Sequence, residues 1–480
     1  MNLPAYTHIA MSKTRYSLEW ASEDVFVGTE IDGDSQLNIP PDCIVDVFPP
    51  YAHHDYHQVA YVTISDSPAD AKIETRTSLE VIAVPTLPSD VIERYAAESQ
   101  WFLPALLDNK HDHANLHVII SGKSGGELAR TVYDALLAPY FAALGLKEGE
   151  EYVVHETTSA SFISDLATGT FLPRAQTGIP QSIVLLSGDG GIVDLINGLL
   201  SSGDRAEKYV RPELAVLPLG TGNALAHSTG VTADRTLGMS TLARGRPKPL
   251  PLFEAHFSPG SRPVEHGEAV TEPEKSTAVA SVENDSPVVF GAVVLSYGLH
   301  ASLVGDSDTP EYRKHGAKRF AMAAEDLLHP PNNAPPHAYQ AKVSTRDSKH
   351  EWKTVDRSTQ AYVLATFASK LEAGFTISPA SAPLDGKFRL IHFGPLEGGG
   401  DAIMEIMMAA YGGGKHVDDQ RVSYEEIEAL KIDFDVQDDE EEERWRRVCI
   451  DGKIFVVPRR GHVVVEKERE TVLDFVTLAT

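Results

Sequence analysis

The chain has 480 residues, more than one ordinary hydrophobic core supports, so at least two folded units are expected. It is 42% hydrophobic and 23% charged, as globular proteins are, and no apolar run approaches the ~20 residues that a membrane-spanning helix needs. The net charge of −27 argues against nucleic-acid binding.

The N-terminal residues lack the basic-then-apolar pattern of a secretory signal, which predicts a cytoplasmic protein. Cys43 and Cys449 lie far apart in the sequence and are expected to be unpaired thiols. Residues 1–112 are predicted to form a small β-rich unit that ends in a helix capped by Ser89. Its predicted elements are strands 43–47, 60–64 and 79–84 and a helix over 88–107.

Between residues 113 and 245 the pattern becomes strand, glycine turn and helix, repeated three times, which predicts parallel βαβ units and a Rossmann-like α/β lobe. Because the carboxyl ends of parallel strands meet at one edge of a sheet, the three turns should lie together. The predicted pairs are strand 116–120 with turn 121–126, strand 182–186 with turn 187–191, and strand 214–218 with turn 220–223, followed by helices to about 144, over 192–200 and from 224.

Residues 246–480 return to strands and predict a mainly antiparallel β-sandwich lobe. Within it, about 261–287 is rich in Glu, Pro, Ser and Thr and is predicted to be a disordered insertion, and about 437–443 an acidic flexible loop. The other predicted elements are strands 288–295, 360–367 and 387–393, one helix near 311–328, and a closing strand pair at 447–457 and 461–467.

The turn Ser187-Gly-Asp-Gly-Gly191 has the composition of a phosphate-binding loop. Its glycines carry no side chain, so backbone N–H groups can approach a phosphate beside a helix N-terminus. Asp189 cannot attract phosphate, and is better suited to accept a proton from an attacking hydroxyl or to help hold Mg²⁺. Taken alone, the turn is better explained as a tight turn that caps a helix.

A second turn, Gly220-Thr-Gly-Asn223, strengthens the functional interpretation, because it offers another backbone nest and the Thr221 hydroxyl. Gly122-Lys-Ser124 is similar to the end of a Walker A motif. However, His117 stands where the first glycine of that motif is required, so a P-loop is excluded.

The order SGKSGG, IVLLSGDGG and LAVLPLGTGNALA resembles the diacylglycerol kinase and sphingosine kinase family, over about residues 116–467. The segments VLSYG (294–298), Tyr312-Arg313 and Arg319-Phe320 resemble the sphingosine kinase branch most. Weaker similarity to the family's C-terminal lobe is found in APLDG (382–386) and IDGK (450–453).

The resemblance implies a two-lobed fold of the NAD-kinase and diacylglycerol-kinase type, with ATP on the glycine loops and the lipid tail in the β-sandwich lobe. It implies that Asp189 is the catalytic base and that Arg313 and Arg319 hold ATP phosphates, as guanidinium groups do. The nucleotide site that it implies comprises Ser121, Gly122, Lys123, Ser187, Gly188, Gly190, Gly191, Asp194, Gly220, Thr221, Gly222, Asn223, Arg313, Arg319, Asp451 and Gly452.

Four positions depart from the family pattern. Ser121-Gly122 replaces an Asn-Pro pair, and Asp194 replaces a longer glutamate. Lys453 stands where the family has an acid, so it either weakens Mg²⁺ handling or contacts phosphate itself. Val304 occupies the position of the aspartate that pairs with a sphingoid amine, and Asp306 or Asp308 could serve after a two-residue shift.

These observations predict an ATP- and Mg²⁺-dependent lipid kinase that phosphorylates a sphingoid base at a membrane surface, with Asp306 as the substrate contact. Diacylglycerol or ceramide are alternative acceptors, and no protein partner is indicated. Two basic clusters, 244–248 and 444–447, are either contacts for acidic lipid or ordinary surface loops. The rival functions are a non-catalytic nucleotide or lipid sensor and an NAD kinase.

Overall fold

The computed structural model describes most of the chain, including all three predicted regions. The described residues are 14–22, 25–50, 55–65, 76–97, 101–102, 114–122, 128–202, 205–265, 268–269, 279–283, 285–316, 318–434 and 442–478.

The N-terminal region is β-rich, as predicted, with two antiparallel three-stranded sheets. The helix that begins at Ser89 ends at Tyr95, before the predicted end, because Ala96 is extended. Trp101 and Phe102 are buried. Residues 98–100 and 103–113 lie outside the described part. The elements are β1 Tyr16–Ser22, β2 Val25–Glu30, β3 Gln36–Ile39, β4 Ile44–Phe48, β5 His57–Ile64, β6 Thr77–Val84 and α1 Ser89–Tyr95.

The α/β lobe contains the three predicted strand–turn–helix repeats and one further unit, β8 with α3, between the first two. This unit was not predicted because β8 is a half-buried edge strand without a long apolar run. The elements are β7 Leu116–Ile120, α2 129–143, β8 Tyr152–Glu156, α3 162–176, β9 Ser182–Ser187, α4 Asp189–Leu199, β10 Glu213–Pro218, α5 Ala224–Ser228, α6 Met239–Arg244 and β11 Arg246–Pro249.

The described part of the C-terminal lobe is built from antiparallel strands and four α-helices, and its last strand lies in the other lobe. Its strands are β12 Phe253–Phe257, β13 Arg262–Glu265, β14 Glu268–Ala269, β15 Ser281–Glu283, β16 Ser286–Gly291, β17 Val294–Gly298, β18 Tyr339–Gln340, β19 Lys342–Arg346, β20 Trp352–Thr354, β21 Thr359–Gln360, β22 Tyr362–Thr366, β23 Lys370–Glu372, β24 Phe375–Thr376, β25 Phe388–Phe393, β26 Ser423–Ile427, β27 Ala429–Asp433, β28 Arg447–Ile450, β29 Lys453–Val456, β30 His462–Lys467 and β31 Asp474–Thr477. Its helices are α7 Leu299–Ser307, α8 Pro310–Arg313, α9 Lys318–Leu328 and α10 Gly399–Tyr411.

Two large sheets of this lobe pack face to face, which confirms the predicted sandwich. The seven-stranded sheet has the order β15-β16-β12-β30-β27-β19-β20, and the eight-stranded sheet the order β14-β13-β29-β28-β17-β22-β25-β26. Inward side chains such as Phe253, Tyr297, Leu430 and Phe455 fill the space between them. Such a double layer buries apolar side chains from both sheets.

Several predicted elements need correction. The segment 261–287 is not a disordered insertion at its ends, because β13 and β15 pair there with neighbouring strands; residues 266–267, 270–278 and 284 lie outside the described part. The predicted helix 311–328 is divided into α8 and α9, since Gly316 has a left-handed φ of 57°. The acidic residues 435–441 also lie outside the described part.

The predicted closing strand 447–457 is a hairpin, β28–β29, that turns at Asp451 and Gly452, where φ is 46° and 86°. The partner predicted for it, β30, lies in the other sheet of the sandwich. Strands β11 and β31, which were assigned to the second lobe, instead join the parallel sheet, whose order is β11-β31-β10-β9-β7-β8.

The central parallel sheet is buried on both faces. One face packs against α2, α6 and the N-terminal strands, with Val118, Val184 and Val45 in a common cluster. The other packs against α3, α4 and the second lobe, with Ile183 and Phe290 in one cluster. Alternate residues of each strand point to opposite faces, so near-continuous apolar strands are required here.

Glu213, at the start of β10, is predicted to make stability pH-dependent. It lies beside Asp474 of the neighbouring strand β31, and burial together with that charge raises its pKa to about 7. An acid whose folded pKa is raised contributes stability that is present below its unfolded pKa and lost as pH rises through the folded value. We therefore expect Glu213→Gln to reduce the fall in unfolding temperature between pH 5 and 8, and the exposed Glu207→Gln to leave it unchanged. An equal fall in both variants would contradict this.

Candidate functional site

The second and third predicted glycine turns and the described start of the first, Ser121-Gly122, lie at one edge of the sheet, because β7, β9 and β10 are parallel neighbours. The second and third turns touch backbone to backbone. A Cβ added at Gly188 would lie 2.6 Å from the Cα of Gly220, and one added at Gly220 would lie 2.5 Å from the Cα of Gly188. Both positions therefore require glycine because the two backbones approach each other closely. The sequence had suggested a different reason for these glycines, the approach of backbone N–H groups to a phosphate.

Asp189 is the first residue of α4 and bridges to the next turn. Its two carboxylate oxygens accept hydrogen bonds from the backbone N–H groups of Ala224, at 2.7 Å, and Leu225, at 3.2 Å. These N–H groups begin α5 and have no acceptor inside that helix. Burial raises the pKa of Asp189, while the two hydrogen bonds oppose this. The carboxylate is thus fixed in orientation, and it is more basic than that of a solvent-exposed aspartate.

Asn223 shapes the third turn from within. It has a left-handed φ of 52°, its Oδ1 accepts from the Gly220 N–H at 2.8 Å, and its Nδ2 donates to the Gly220 carbonyl at 2.9 Å. The side chain predicted to contact nucleotide is therefore used to close the loop. Thr221 is exposed at the tip, where its hydroxyl is available to a ligand.

The first turn is only partly described. The Ser121 N–H donates to the Leu186 carbonyl at 3.1 Å, which continues the pairing of the strands, and the Gly122 N–H donates to the Thr157 hydroxyl at 3.1 Å. Thr157 was not predicted. Lys123, predicted to bind the nucleotide, lies outside the described residues.

Two of the departures from the family pattern contact each other. Asp194, on α4, forms an ion pair with Lys453, at the start of β29, with 2.9 Å between Oδ1 and Nζ. Burial raises the pKa of Asp194, and Lys453 opposes that effect. The ammonium group thus balances a buried carboxylate across the boundary between the two lobes.

Asp451 is buried, and its carboxylate accepts hydrogen bonds from three consecutive backbone N–H groups. These belong to Ala292 at 2.6 Å, Val293 at 3.1 Å and Val294 at 2.5 Å. Burial first, and also the nearby charge of Asp189, raise the pKa of Asp451 to about 7. The predicted nucleotide contact therefore holds the connection between β16 and β17 and lies within electrostatic range of Asp189.

Arg313 and Arg319 converge on Asp308, which the sequence offered only as a substrate contact. Arg313 makes two hydrogen bonds to its carboxylate, at 3.0 and 2.8 Å, and Arg319 one at 3.4 Å. The structure thus brings together the two arginines predicted to hold phosphate. The single negative charge of Asp308 lies between their two positive charges. No sequence pattern indicated this pairing.

Asp306, the predicted substrate contact, is almost completely buried and already paired with two cations. Arg444 contacts one carboxylate oxygen at 2.6 Å and Arg447 the other at 2.7 Å. Arg446 is buried and donates to the Val457 carbonyl, whereas Arg444 remains 43% exposed. In the other basic cluster, Arg244 likewise donates to the Val45 carbonyl.

The second lobe also contacts the third turn. Hairpin β23–β24 lies against α5, where the Ser228 hydroxyl and the Lys370 backbone exchange two hydrogen bonds. A narrow, mainly apolar cleft lies beside it, between Leu225 and Ala292. The Leu225 N–H donates to Asp189 and the Ala292 N–H donates to Asp451. The cleft is therefore lined by one backbone donor of each acid.

Within the described ranges, no cluster of three or more His, Cys, Asp or Glu side chains is arranged to hold a metal ion. Cys43 and Cys449 are buried and unpaired, as predicted. No helix in the described part of the chain combines the length and apolar character required to cross a bilayer.

The contact between the glycine turns yields a direct prediction. We expect Gly220→Ala to push the turns apart, lowering the free energy of unfolding by about 1–3 kcal/mol and weakening nucleotide binding. Gly190→Ala is the matched control for stability, since its added Cβ meets no atom within 4 Å. Chemical denaturation measures stability and ATP titration measures binding by Gly220→Ala, and an equal loss of stability in the two variants would refute the prediction.

Comparison with known proteins supports the motif-based resemblance. Residues 115–255 match the family model described as the diacylglycerol kinase catalytic domain. Sphingosine kinase B of Dictyostelium discoideum is 44% identical over 70 residues, 15% of this chain and 9% of that protein. Sphingosine kinase 2 of Homo sapiens is 31% identical over 183 residues, 33% of this chain and 27% of that protein. The chain therefore spans well under half the length of these curated relatives.

A crystal structure of a diacylglycerol kinase from Bacillus anthracis aligns with 76% of this chain and 98% of its own, at 12% identity and a TM-score of 0.47. The α/β region that contains all three glycine turns lies inside the matched residues 115–255. The resemblance predicted from the motifs is thus confirmed: this chain carries a region of the diacylglycerol kinase catalytic-domain type and is similar in sequence to sphingosine kinases.

Proposed function

We propose that this protein is an ATP-dependent lipid kinase that transfers a γ-phosphoryl group to a primary hydroxyl. The observation that carries the proposal is the position of Asp189, beside two glycine turns in backbone contact and at the N-termini of two helices. Helix N-termini and glycine turns bind phosphate, and a fixed carboxylate beside them suits a general base. The matched catalytic domain and the names of the relatives support a lipid acceptor.

In the proposed mechanism, the acceptor hydroxyl gives its proton to Asp189 as its oxygen forms a bond to the γ-phosphorus. The bond between that phosphorus and the bridging oxygen to the β-phosphate breaks, leaving ADP and a lipid phosphate. The Ala224 and Leu225 N–H groups hold the carboxylate in place. The glycine turns, with Arg313 and Arg319 as further phosphate contacts, stabilise the charge of the transferring group.

Mg²⁺ bound with the nucleotide would supply further positive charge next to the phosphates. Magnesium is commonly held by one or two carboxylates together with substrate phosphates. Asp189 fits such a role, since its carboxylate faces the turns and each oxygen retains a lone pair beyond its backbone contact. The buried Asp451 carboxylate, with three backbone donors, is less suited.

For the acceptor we propose a sphingoid base, on the names of the sequence relatives. Diacylglycerol or ceramide is the second candidate, and the surroundings of Asp306 favour it. A carboxylate between Arg444 and Arg447 has a net positive environment, which repels an ammonium group. Binding a sphingoid amine at Asp306 requires that at least one of these arginines move away.

Asp189→Asn tests the proposed base. We expect turnover to fall roughly 100- to 10,000-fold, because the amide cannot accept the proton. In this variant the side-chain NH₂ of the new asparagine would face the backbone N–H of Ala224 or Leu225, and neither group can accept a hydrogen bond. The free energy of unfolding should therefore fall by about 1 kcal/mol. Lipid phosphorylation with labelled ATP measures turnover, and thermal unfolding measures stability.

ATP binding serves as the control for this variant, and should stay near that of the unaltered protein. Since burial raises the pKa of Asp189, activity of the unaltered enzyme should decline on the acid side at a higher pH than an ordinary aspartate would give. Near-normal turnover in Asp189→Asn would exclude the proposed role.

A lipid panel distinguishes the two acceptor classes. Purified protein is incubated with labelled ATP and Mg²⁺ and, separately, with sphingosine, ceramide and diacylglycerol. A sphingoid acceptor predicts label on sphingosine at least tenfold above the others, and Asp306→Asn should then reduce it selectively. Label mainly on ceramide or diacylglycerol would establish the second candidate, and ATP binding with no labelled lipid would overturn the kinase proposal.

A further inference from the structure

Helix α4 starts within the glycine turn 187–191, and side chains on one of its faces bind to the second lobe. Asp194 and Asn197 are three residues apart and so lie on the same side of the helix. The Asn197 side chain donates to the Phe290 carbonyl and accepts from the Phe290 N–H, both at 2.9 Å. Asp194 pairs with Lys453, also from the second lobe.

Lys453 is itself held firmly in place. It follows the turn at Asp451 and Gly452, and Asp451 accepts backbone hydrogen bonds from the β16–β17 connection. The Lys453 and Asp194 side chains are only 27% and 11% exposed, so solvent screens the pair less than a surface ion pair. Removing the cation would leave a buried carboxylate without its counter-charge, which is strongly unfavourable.

The pair lies close to the proposed chemistry in the helix. Asp194 is little more than one helical turn beyond Asp189, about 7 Å along the axis. A shift of α4 relative to the second lobe would therefore carry Asp189 and the turn 187–191 with it. Misplacement of a reacting group by about 1 Å can lower a rate ~100-fold.

We propose that Lys453 is a positioning residue: by pairing with Asp194 it holds α4 against the second lobe and so sets where Asp189 stands relative to the acceptor. The proposal rests on the lipid-kinase function proposed above. This structural role differs from both roles that the sequence offered for Lys453, weakened Mg²⁺ handling and direct phosphate contact. Lys453 acts through Asp194 and does not itself contact the reacting atoms.

The test compares Lys453→Met with Lys467→Met in the full-length protein. Lys467 is a matched control: it pairs with Glu428 at 3.2 Å, is also 27% exposed, and lies on β30 within the second lobe. We expect Lys453→Met to lower kcat roughly tenfold to a hundredfold with the KM for ATP changed less than threefold. Lys467→Met should change neither, and Lys453→Arg, which keeps the cation, should recover most of the loss.

Hydrogen exchange provides a readout that does not depend on activity. Amides of α4 should exchange at least tenfold faster in Lys453→Met than in the control. Asp194→Asn should produce the same change, and combining it with Lys453→Met should add little, because both remove one interaction.

The outcomes separate this proposal from the kinase proposal. If the unaltered protein phosphorylates no lipid, the function fails, and the exchange data still decide whether Lys453 holds α4. Unchanged α4 exchange in Lys453→Met would overturn the positioning role. A rise in the KM for ATP as large as the fall in kcat, not reversed in Lys453→Arg, would also overturn it, since that pattern indicates a direct phosphate contact.

Discussion

The backbone contact between Gly188 and Gly220 is the constraint on which the site depends. Adjacent parallel strands lie about 4.8 Å apart, and the backbones of these two turns approach each other so closely that neither residue can carry a Cβ. This contact brings the start of α4 against the start of α5, where Asp189 accepts from Ala224 and Leu225. The proposed base is therefore oriented by main-chain groups, which are less mobile than side chains.

The second lobe helps to balance the negative charge near the site. Three acids, Asp189, Asp194 and Asp451, lie near the lobe boundary, and burial raises the pKa of each. Such a concentration of negative charge is costly unless backbone N–H groups or cations balance it. Here backbone donors from both lobes and the ammonium of Lys453 do so. Separation of the lobes would take the Lys453 ammonium away from Asp194, whereas Asp189 and Asp451 would keep their backbone donors, which belong to the same lobe as each acid.

Charge pairing gives the arginines of the basic cluster 444–447 partners that the sequence did not indicate. Arg444, which is 43% exposed, and Arg447 both pair with Asp306, and Arg446 is buried. In the sequence, the changes at Asp194 and Lys453 are two separate departures from the family pattern, yet in the structure they form one ion pair. Their complementarity cannot be inferred from either position alone, because only the packing of α4 against the second lobe brings them together.

The sequence by itself determined the three glycine turns, their place after parallel strands, the sandwich class of the second lobe and the candidate base, because hydrophobic period and glycine chemistry act locally along the chain. Only the tertiary structure decided that β31 joins the parallel sheet, that Asn223 closes its own loop, and that Arg313 and Arg319 share Asp308. It likewise decided the partners of Asp194 and Asp306. These features depend on contacts between segments distant in sequence, where burial and charge balance select the partner and local pattern carries no information about it.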